Sequence, residues 1–448
     1  MMTPIQITDN HDWVNLEECC KESYTADDIN NLKKIANVNI SELHKNSNLL
    51  VFPTSLNKYG DDIGDGYIVS LRNAGDENQI ATGNVMGFIG VNGTQINIRS
   101  RFAKEDEEDY FLHYMLMKVF SINLFDLKHS NSNDNIFDFL LFLFPYYLKK
   151  AIRQGLFKKY KKNEYNDANI RGVINVNRHI RQNIPFCATI AYNAREHSYD
   201  NPVTQLVRHT IEYISGKSIG KNILQNDLDT KNAVAMIREA TPTFSINNRS
   251  KVLNQNLRPA KHPYYTEYTT LQKICVQILQ HKKIKFGNSK DQVYGVLFDG
   301  AWLWEEYLYT MLKSKGFEHP KNKTKEGGFR MFETPEEDSI ISRNSRKLYP
   351  DFYKENFILD AKYKHLEWGV GREDLYQVVT YMYCQQAHEG GYAYPSADVN
   401  AKSTSYKLAG YGGQMSLLPF IVPSQGFTNW KEFVSIIKQS EKQFVKRL

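Results

Sequence analysis

The chain has 448 residues, 41% hydrophobic and 24% charged, enough for two or three domains with substantial cores and far from a disordered composition. Its net charge of +6 is mildly basic, which suits a nucleic-acid partner without requiring one. The five cysteines make no CxxC pair and the twelve histidines no HxH or HExxH motif, which sets aside a zinc ribbon, a disulfide framework and a histidine-based metal site.

Residues 1–47 read as a polar N-terminal segment. MMTPIQITDNHDW lacks a basic stretch followed by an apolar run, so no secretory signal is expected and the expected location is cytoplasmic. Residues 48–105 read as a β-rich module. YIVSLRN and ATGNVMGFIGVNGTQINIRSRF alternate in short runs, and Asn92-Gly93 marks a hairpin.

Residues 106–289 read as a helical middle region. Apolar residues recur at helical spacing in DYFLHYMLMKVFSINLF (109–125) and DFLLFLFPYYLKKAIRQGLFKKY (138–160). Asp200-Asn201-Pro202 predicts a helix start, and a further helix is expected over 266–282. The most apolar run, IFDFLLFLFPYYL (136–148), contains Asp138 and Pro145 and falls short of the ~20 residues that span a bilayer, so it predicts a buried helix and no membrane partner.

Residues 290–448 alternate helix and strand. LFDGAWLWEEYLYTMLKSKG (297–316) predicts an amphipathic helix ended by Gly316, and KNKTKEGGFR (321–330) a basic loop. YPDFYKENFILDAKYK (349–364) predicts a hairpin turning at Lys354-Glu355-Asn356. A helix is expected over 371–387, with Arg372 and two acids in its first turn. Strands are expected at 391–395 and 418–422 and a closing helix at 428–446.

The hairpin carries the chemistry. On a strand over FILDAKY, alternation puts Asp360 and Lys362 on one face and Ala361 on the other. Phe357, Ile358 and Leu359 mark that strand as buried, and buried charges must be paired or coordinated. The turn returns Asp351 beside Asp360. Two carboxylates are hard oxygen ligands of the kind Mg²⁺ takes, and Lys362 is placed to act on an attacking water. Glu305 and Glu306, in WLWEEYL on the preceding helix, are the candidates for a third acid.

Pro350-Asp351 followed by Asp360-Ala361-Lys362 resembles the PD-(D/E)xK nuclease superfamily, and Gln377 and Tyr381, one helical turn apart, match the Q-x-x-x-Y arrangement that follows such cores. LWEEYLYTMLKSKGF, RKLYPDFYKENFILDAKYK and DLYQVVTYMYC together resemble the McrC family, nuclease subunits of McrBC 5-methylcytosine-dependent (type IV) restriction systems. Weaker similarity lies in GNVMGFIGVNGTQINIRSRF, NIRGVINVNRHI (169–180) and DNPVTQLVRHTIEYI (200–214).

The resemblance implies an α+β multidomain fold: an N-terminal β-rich module that binds a partner, a helical middle region, and a C-terminal α/β restriction-endonuclease-like domain with a mixed sheet. It implies a Mg²⁺-dependent DNA endonuclease, Mn²⁺ a possible substitute, with Asp351, Asp360 and Glu305 as metal ligands, Lys362 completing the catalytic set, and Gln377 and Tyr381 supporting. It implies a hexameric AAA+ GTPase partner of the McrB kind, and double-stranded, modified DNA as substrate. The chain itself has no phosphate-binding loop. At Gly216-Lys217-Ser218 the glycine required five residues earlier is Ile211, so no nucleotide is expected on this chain alone.

Basic residues at Lys321, Lys323, Lys325, Arg343, Arg346 and Lys347 lead into the hairpin and are candidates for phosphate contacts; KKYKK (158–162) is a second, more remote group. Two other readings stand beside the nuclease subunit: a non-catalytic subunit that stimulates or scaffolds the motor, and a stand-alone nuclease for unmodified DNA or RNA.

Overall fold

The computed structural model describes residues 5–20, 24–46, 48–53, 65–75, 77–102, 109–120, 135–217, 220–225, 227–260, 262–285, 293–322, 325–332, 347–366, 369–410 and 412–448. The elements used below are, in chain order, strands β1 (Ile5–Thr8), β2 (Asn48–Phe52), β3 (Val85–Val91) and β4 (Thr94–Arg99), then helices α1 (Tyr110–Phe120) and α2 (Asn135–Arg153). Next come β5 (Lys159–Asp167), β6 (Val173–Ile174), β7 (Ile190–Ser198), α3 (Pro202–Ser215) and α4 (Glu267–Lys285). The last are β8 (Val293–Asp299), α5 (Gly300–Leu312), β9 (Phe352–Lys354), β10 (Phe357–Ala361), α6 (Arg372–Gln385), β11 (Glu389–Ser396), β12 (Thr404–Lys407), β13 (Gln414–Ile421) and α7 (Trp430–Lys446).

The fold is mixed α+β, and the chain divides into two compact units. Residues 1–136 and 283–448 make one, residues 137–282 the other.

The first unit holds two five-stranded mixed sheets. One has the order β1–β4–β3–β8–β2, in which β1/β4 and β8/β2 run parallel and the pairs around β3 antiparallel. The β3–β4 hairpin turns at Asn92-Gly93, as the dipeptide predicts, with Asn92 at φ 52°. Two segments distant in sequence complete this sheet. Ile5–Thr8, inside the polar N-terminal stretch, pairs with β4, and Val293–Asp299, directly before α5, pairs with both β3 and β2.

The other sheet has the order β9–β10–β11–β13–β12, antiparallel at its two ends and parallel through the middle. The central strand β10 is buried throughout and β11 from Gly390 on, which is why FILDA and GYAYPS read as nearly continuous apolar runs. Aromatic residues fill the interior as the composition suggests. Trp304 and Tyr307 of α5 meet Phe420 of β13 at 5.6 and 5.7 Å between ring centroids. Glu441 of α7 is buried among them and satisfied: the hydroxyls of Tyr114 (3.1 Å) and Tyr307 (3.0 Å) donate to it, and Lys118 lies 3.2 Å away.

The second unit corrects two expectations. The helix expected over 138–160 stops at Arg153, and Gly155 takes a left-handed φ of 92°. KYKKNEYND then forms β5, paired along nine residues with β7, and β6 completes a three-stranded sheet, so the middle region is not wholly helical. Period-2 burial over Asn163–Asp167 and the stacked rings of Tyr165 and Tyr192 at 5.4 Å favour the ladder over helix. The helix start at Asn201-Pro202 holds: the Asn201 side chain accepts from the Val203 and Thr204 amides. In the first unit, LFD of the helix expected over 297–316 belongs to β8. Asp299 caps α5, and Gly316 at φ 79° closes the turn that follows.

Among the described residues no helix is long and apolar enough to cross a membrane.

Candidate active site

The hairpin turns at Glu355-Asn356, and its register pairs Phe352 with Leu359 and Tyr353 with Ile358. One step further, that register sets Asp351 opposite Asp360. The ladder ends there, and a side chain takes over from the backbone: Oδ2 of Asp351 accepts the Ala361 amide at 2.7 Å. Asp360 is buried to 2% exposure on the central strand. Its Oδ2 is met by the Lys362 ammonium at 2.8 Å, a charge-assisted hydrogen-bond distance.

The electrostatics follow from burial. Desolvation, then the neighbouring Asp351, push the Asp360 carboxyl well above the ordinary carboxylate range, and Lys362 offsets only part of this. Burial raises Asp351 too, against the opposing pull of the Ala361 amide, Lys362 and His319. Lys362 is itself partly desolvated, which works against its charge, but Asp360 first and Asp351 and Asp374 after it hold it above an ordinary lysine.

This has a thermodynamic consequence. A carboxyl raised in the fold keeps a proton that the unfolded chain has lost, so its contribution to stability is full only below the unfolded carboxylate's ordinary value and is lost progressively as pH rises from there through the raised folded value. Metal-free protein is therefore expected to lose more thermal stability between about pH 4 and about pH 8 than its Asp360→Asn variant, with Mg²⁺ reversing the loss. Calorimetry of both proteins in chelator and in Mg²⁺ measures this. Parallel melting profiles would show that Asp360 is ionised throughout.

Lys362 follows the last ladder residue of β10, and its amide donates to the Ala393 carbonyl at 2.9 Å. Its ammonium bridges Asp360 and, at 3.1 Å, Asp374. Lys364 pairs with the same Asp374 at 2.6 Å. Burial would raise Asp374, but Lys364 and Lys362 outweigh it and hold the carboxylate below its usual range. Tyr392 donates to the Asp374 carbonyl at 2.8 Å, tying the first turn of α6 to the sheet.

Asp374 was not singled out from the sequence, although its signal is there. It stands three and seven positions before Gln377 and Tyr381, which places all three on one side of the helix. Gln377 donates to the Tyr381 hydroxyl at 2.9 Å. Burial raises Tyr381, against the Gln377 hydrogen bond, and the charges of Asp351 and Asp360 add to the rise.

Of the two acids on α5, Glu306 lies 3.9 Å from His319 Nε2 and 3.7 Å from Lys321. Burial would raise Glu306, yet these two neighbours bring it below the usual range. On its other side, His319 Nδ1 meets the Asp351 carbonyl at 2.6 Å. A carbonyl only accepts, so Nδ1 carries the proton. Glu306, His319 and Asp351 thus form a chain, and no sequence motif pointed to His319. Glu305 is half-buried one position earlier. Trp304 is fully buried and donates to the Ala393 carbonyl at 3.3 Å, locking α5 to the strand beside β10.

Lys321, Lys325 and Lys347 are exposed, and Lys325 lies 5.4 Å over the Tyr349 ring. Lys323, Arg343 and Arg346 lie outside the described residues.

No curated protein matches the chain. Among solved structures, a chain of a refined half-complex from a tetradecameric assembly of Thermococcus gammatolerans McrB AAA+ hexamers with bound McrC is similar, at 14% identity over 99% of both chains with a TM-score of 0.50. That likeness concerns the fold. A chain of a Thermococcus gammatolerans McrBC complex matches more loosely, at 15% identity over 71% of this chain and 90% of its own, with a TM-score of 0.36. The family model for the McrBC 5-methylcytosine restriction system component matches residues 80–395, a span that includes the hairpin, the acids of α5 and all of α6. The chain therefore belongs to the family of McrBC 5-methylcytosine restriction system components.

Proposed function

We propose that this protein is the Mg²⁺-dependent endonuclease subunit of a McrBC-like, modification-dependent restriction complex, and that its β9–β13 sheet is the catalytic core of a PD-(D/E)xK nuclease. The observation that carries the proposal is the opposed pair of half-buried Asp351 and buried Asp360, with Lys362 ion-paired to the second. A purely structural hairpin gains nothing from two raised carboxyls in its interior; each costs stability unless something binds them.

The donor set fits the metal. Among the described residues no group of three or more histidine, cysteine or acidic side chains is assembled, and Mg²⁺ is commonly held by one or two carboxylates, with waters and substrate phosphate filling the rest. Asp351 and Asp360 would hold it. When bound, the ion polarises the phosphodiester and lowers the pKa of water.

The chain's own residues do the remaining work. Lys362, kept charged by three carboxylates, offers its ammonium to the negative charge that develops on the phosphate. Asp374 holds that ammonium from the far side. We assign the role of third acid to Glu306 rather than Glu305, because its partner His319 touches Asp351 and so sets the orientation of that carboxylate's residue. Gln377 and Tyr381 line the same side. Lys321, Lys325 and Lys347 supply candidate phosphate contacts, with Lys323, Arg343 and Arg346 in the same stretch of sequence.

Family membership and the composition of the solved half-complex support a hexameric AAA+ GTPase as the partner that delivers DNA. Mixed with such a partner, GTP and methylated plasmid, the chain is expected to cut DNA in Mg²⁺, to stop in chelator and to recover in Mn²⁺. A chain that stimulates GTP hydrolysis while plasmid stays intact at every metal concentration would be a scaffold instead.

A further inference from the structure

Beyond Ala361 the catalytic strand leaves its ladder, and the Lys362 amide is its last bond to the sheet. The next residue, Tyr363, turns to the opposite face and is 5% exposed. Its surroundings come from the other sheet of the same unit. Its hydroxyl lies 2.7 Å from Ser100 Oγ and 3.3 Å from Met86 Sδ. The Arg101 guanidinium sits 5.0 Å over its ring, and Phe102 meets the ring edge-on at 5.2 Å. Gly300, at the start of α5, leaves the room: a Cβ there would come within 2.8 Å of the ring.

These groups are themselves held. The Ser100 amide donates to Asp109 at 2.6 Å, and Arg101 donates its amide at 2.7 Å and its guanidinium to buried Asp9, at the end of β1. Asp9 in turn donates its amide to the Arg99 carbonyl at 2.7 Å. The ends of β4 and β3 thus form a largely buried, hydrogen-bonded socket for one side chain.

We infer that Tyr363 is a positioning residue: the socket formed by Met86, Ser100, Arg101 and Phe102 holds one face of the strand end and thereby fixes Lys362 on the other. The inference rests on the reading of Asp351, Asp360 and Lys362 as the cleavage site. It makes the N-terminal sheet part of the cleavage apparatus, in addition to any partner it binds. A displacement of about 1 Å at a catalytic group can cost on the order of 10²-fold in rate, so loss of the hydroxyl contact alone should register.

The test uses the full chain with its AAA+ partner, DNA and Mg²⁺. Tyr363→Phe keeps the ring, the Arg101 contact and the packing on Gly300, and Ser100→Ala removes the other half of the hydroxyl pair with less disturbance. Each is expected to lower kcat roughly tenfold, with KM for DNA and half-saturating Mg²⁺ within about twofold of wild type, and the double variant to be no slower than the slower single one. A merely structural contact would lower the melting temperature and leave kcat per folded molecule unchanged, which overturns the inference. Asp360→Ala in the same assay separates the two readings. If it cleaves at the wild-type rate, the site assignment fails and the inference with it. If it is inactive while Tyr363→Phe and Ser100→Ala cleave at the wild-type rate, the positioning role alone fails.

Discussion

Asp360→Ala is expected to abolish Mg²⁺-dependent DNA cleavage, by roughly 10³-fold or more, while the protein stays folded and assembled. The size follows from what the carboxylate would hold: several kcal/mol of charge stabilisation in the transition state, at about 1.36 kcal/mol per factor of ten. The survival of the fold follows from the local charges. Asp360 is a buried carboxyl raised by desolvation and by Asp351, so its removal relieves an unfavourable pair. Lys362 is not orphaned, because Asp374 remains 3.1 Å from it. Single-turnover cleavage with the partner present, alongside a melting curve, checks both halves. Undiminished cleavage would refute the assignment.

The second large effect is expected at Lys362. Lys362→Gln should lower the cleavage rate by about 10²- to 10³-fold yet leave Mg²⁺ binding in place, because the ammonium acts on developing charge rather than on the metal. Its loss also removes the cation shared by Asp351, Asp360 and Asp374. Asp351 and Asp360 should rise further, and metal-free stability should come to depend more on protonation. Isothermal titration with Mg²⁺ in parallel with cleavage distinguishes this from Asp360→Ala, which should lose both. A Lys362→Gln variant that binds no Mg²⁺ but cuts normally in excess metal would reverse the two roles.

Much of the fold was legible along the chain because its determinants are local. Asn92-Gly93 sets a two-residue turn, Asn201-Pro202 starts a helix, and Gly316 accepts the left-handed φ that stops one. The opposition of Asp351 and Asp360 was readable for the same reason: a strand has period 2 and a tight turn has one register. Where reading along the chain failed, two structures competed for one apolar pattern. The segment 138–160 keeps helical spacing to its end, but the ladder with Ile190–Ser198, more than twenty residues away, takes KYKKNEYND into a sheet.

The sequence alone determined which residue types meet at the hairpin, because alternation and turn length are properties of neighbouring residues. It did not reveal Asp374 as the second partner of Lys362, His319 between Glu306 and Asp351, or the socket around Tyr363. Those contacts join residues that lie from about ten to more than two hundred positions apart, and only the stacking of elements from distant parts of the chain brings them together. Burial decided the rest. A carboxylate's charge state is set by the solvent it loses and the charges it gains on folding, and neither is a property of the chain written in a line.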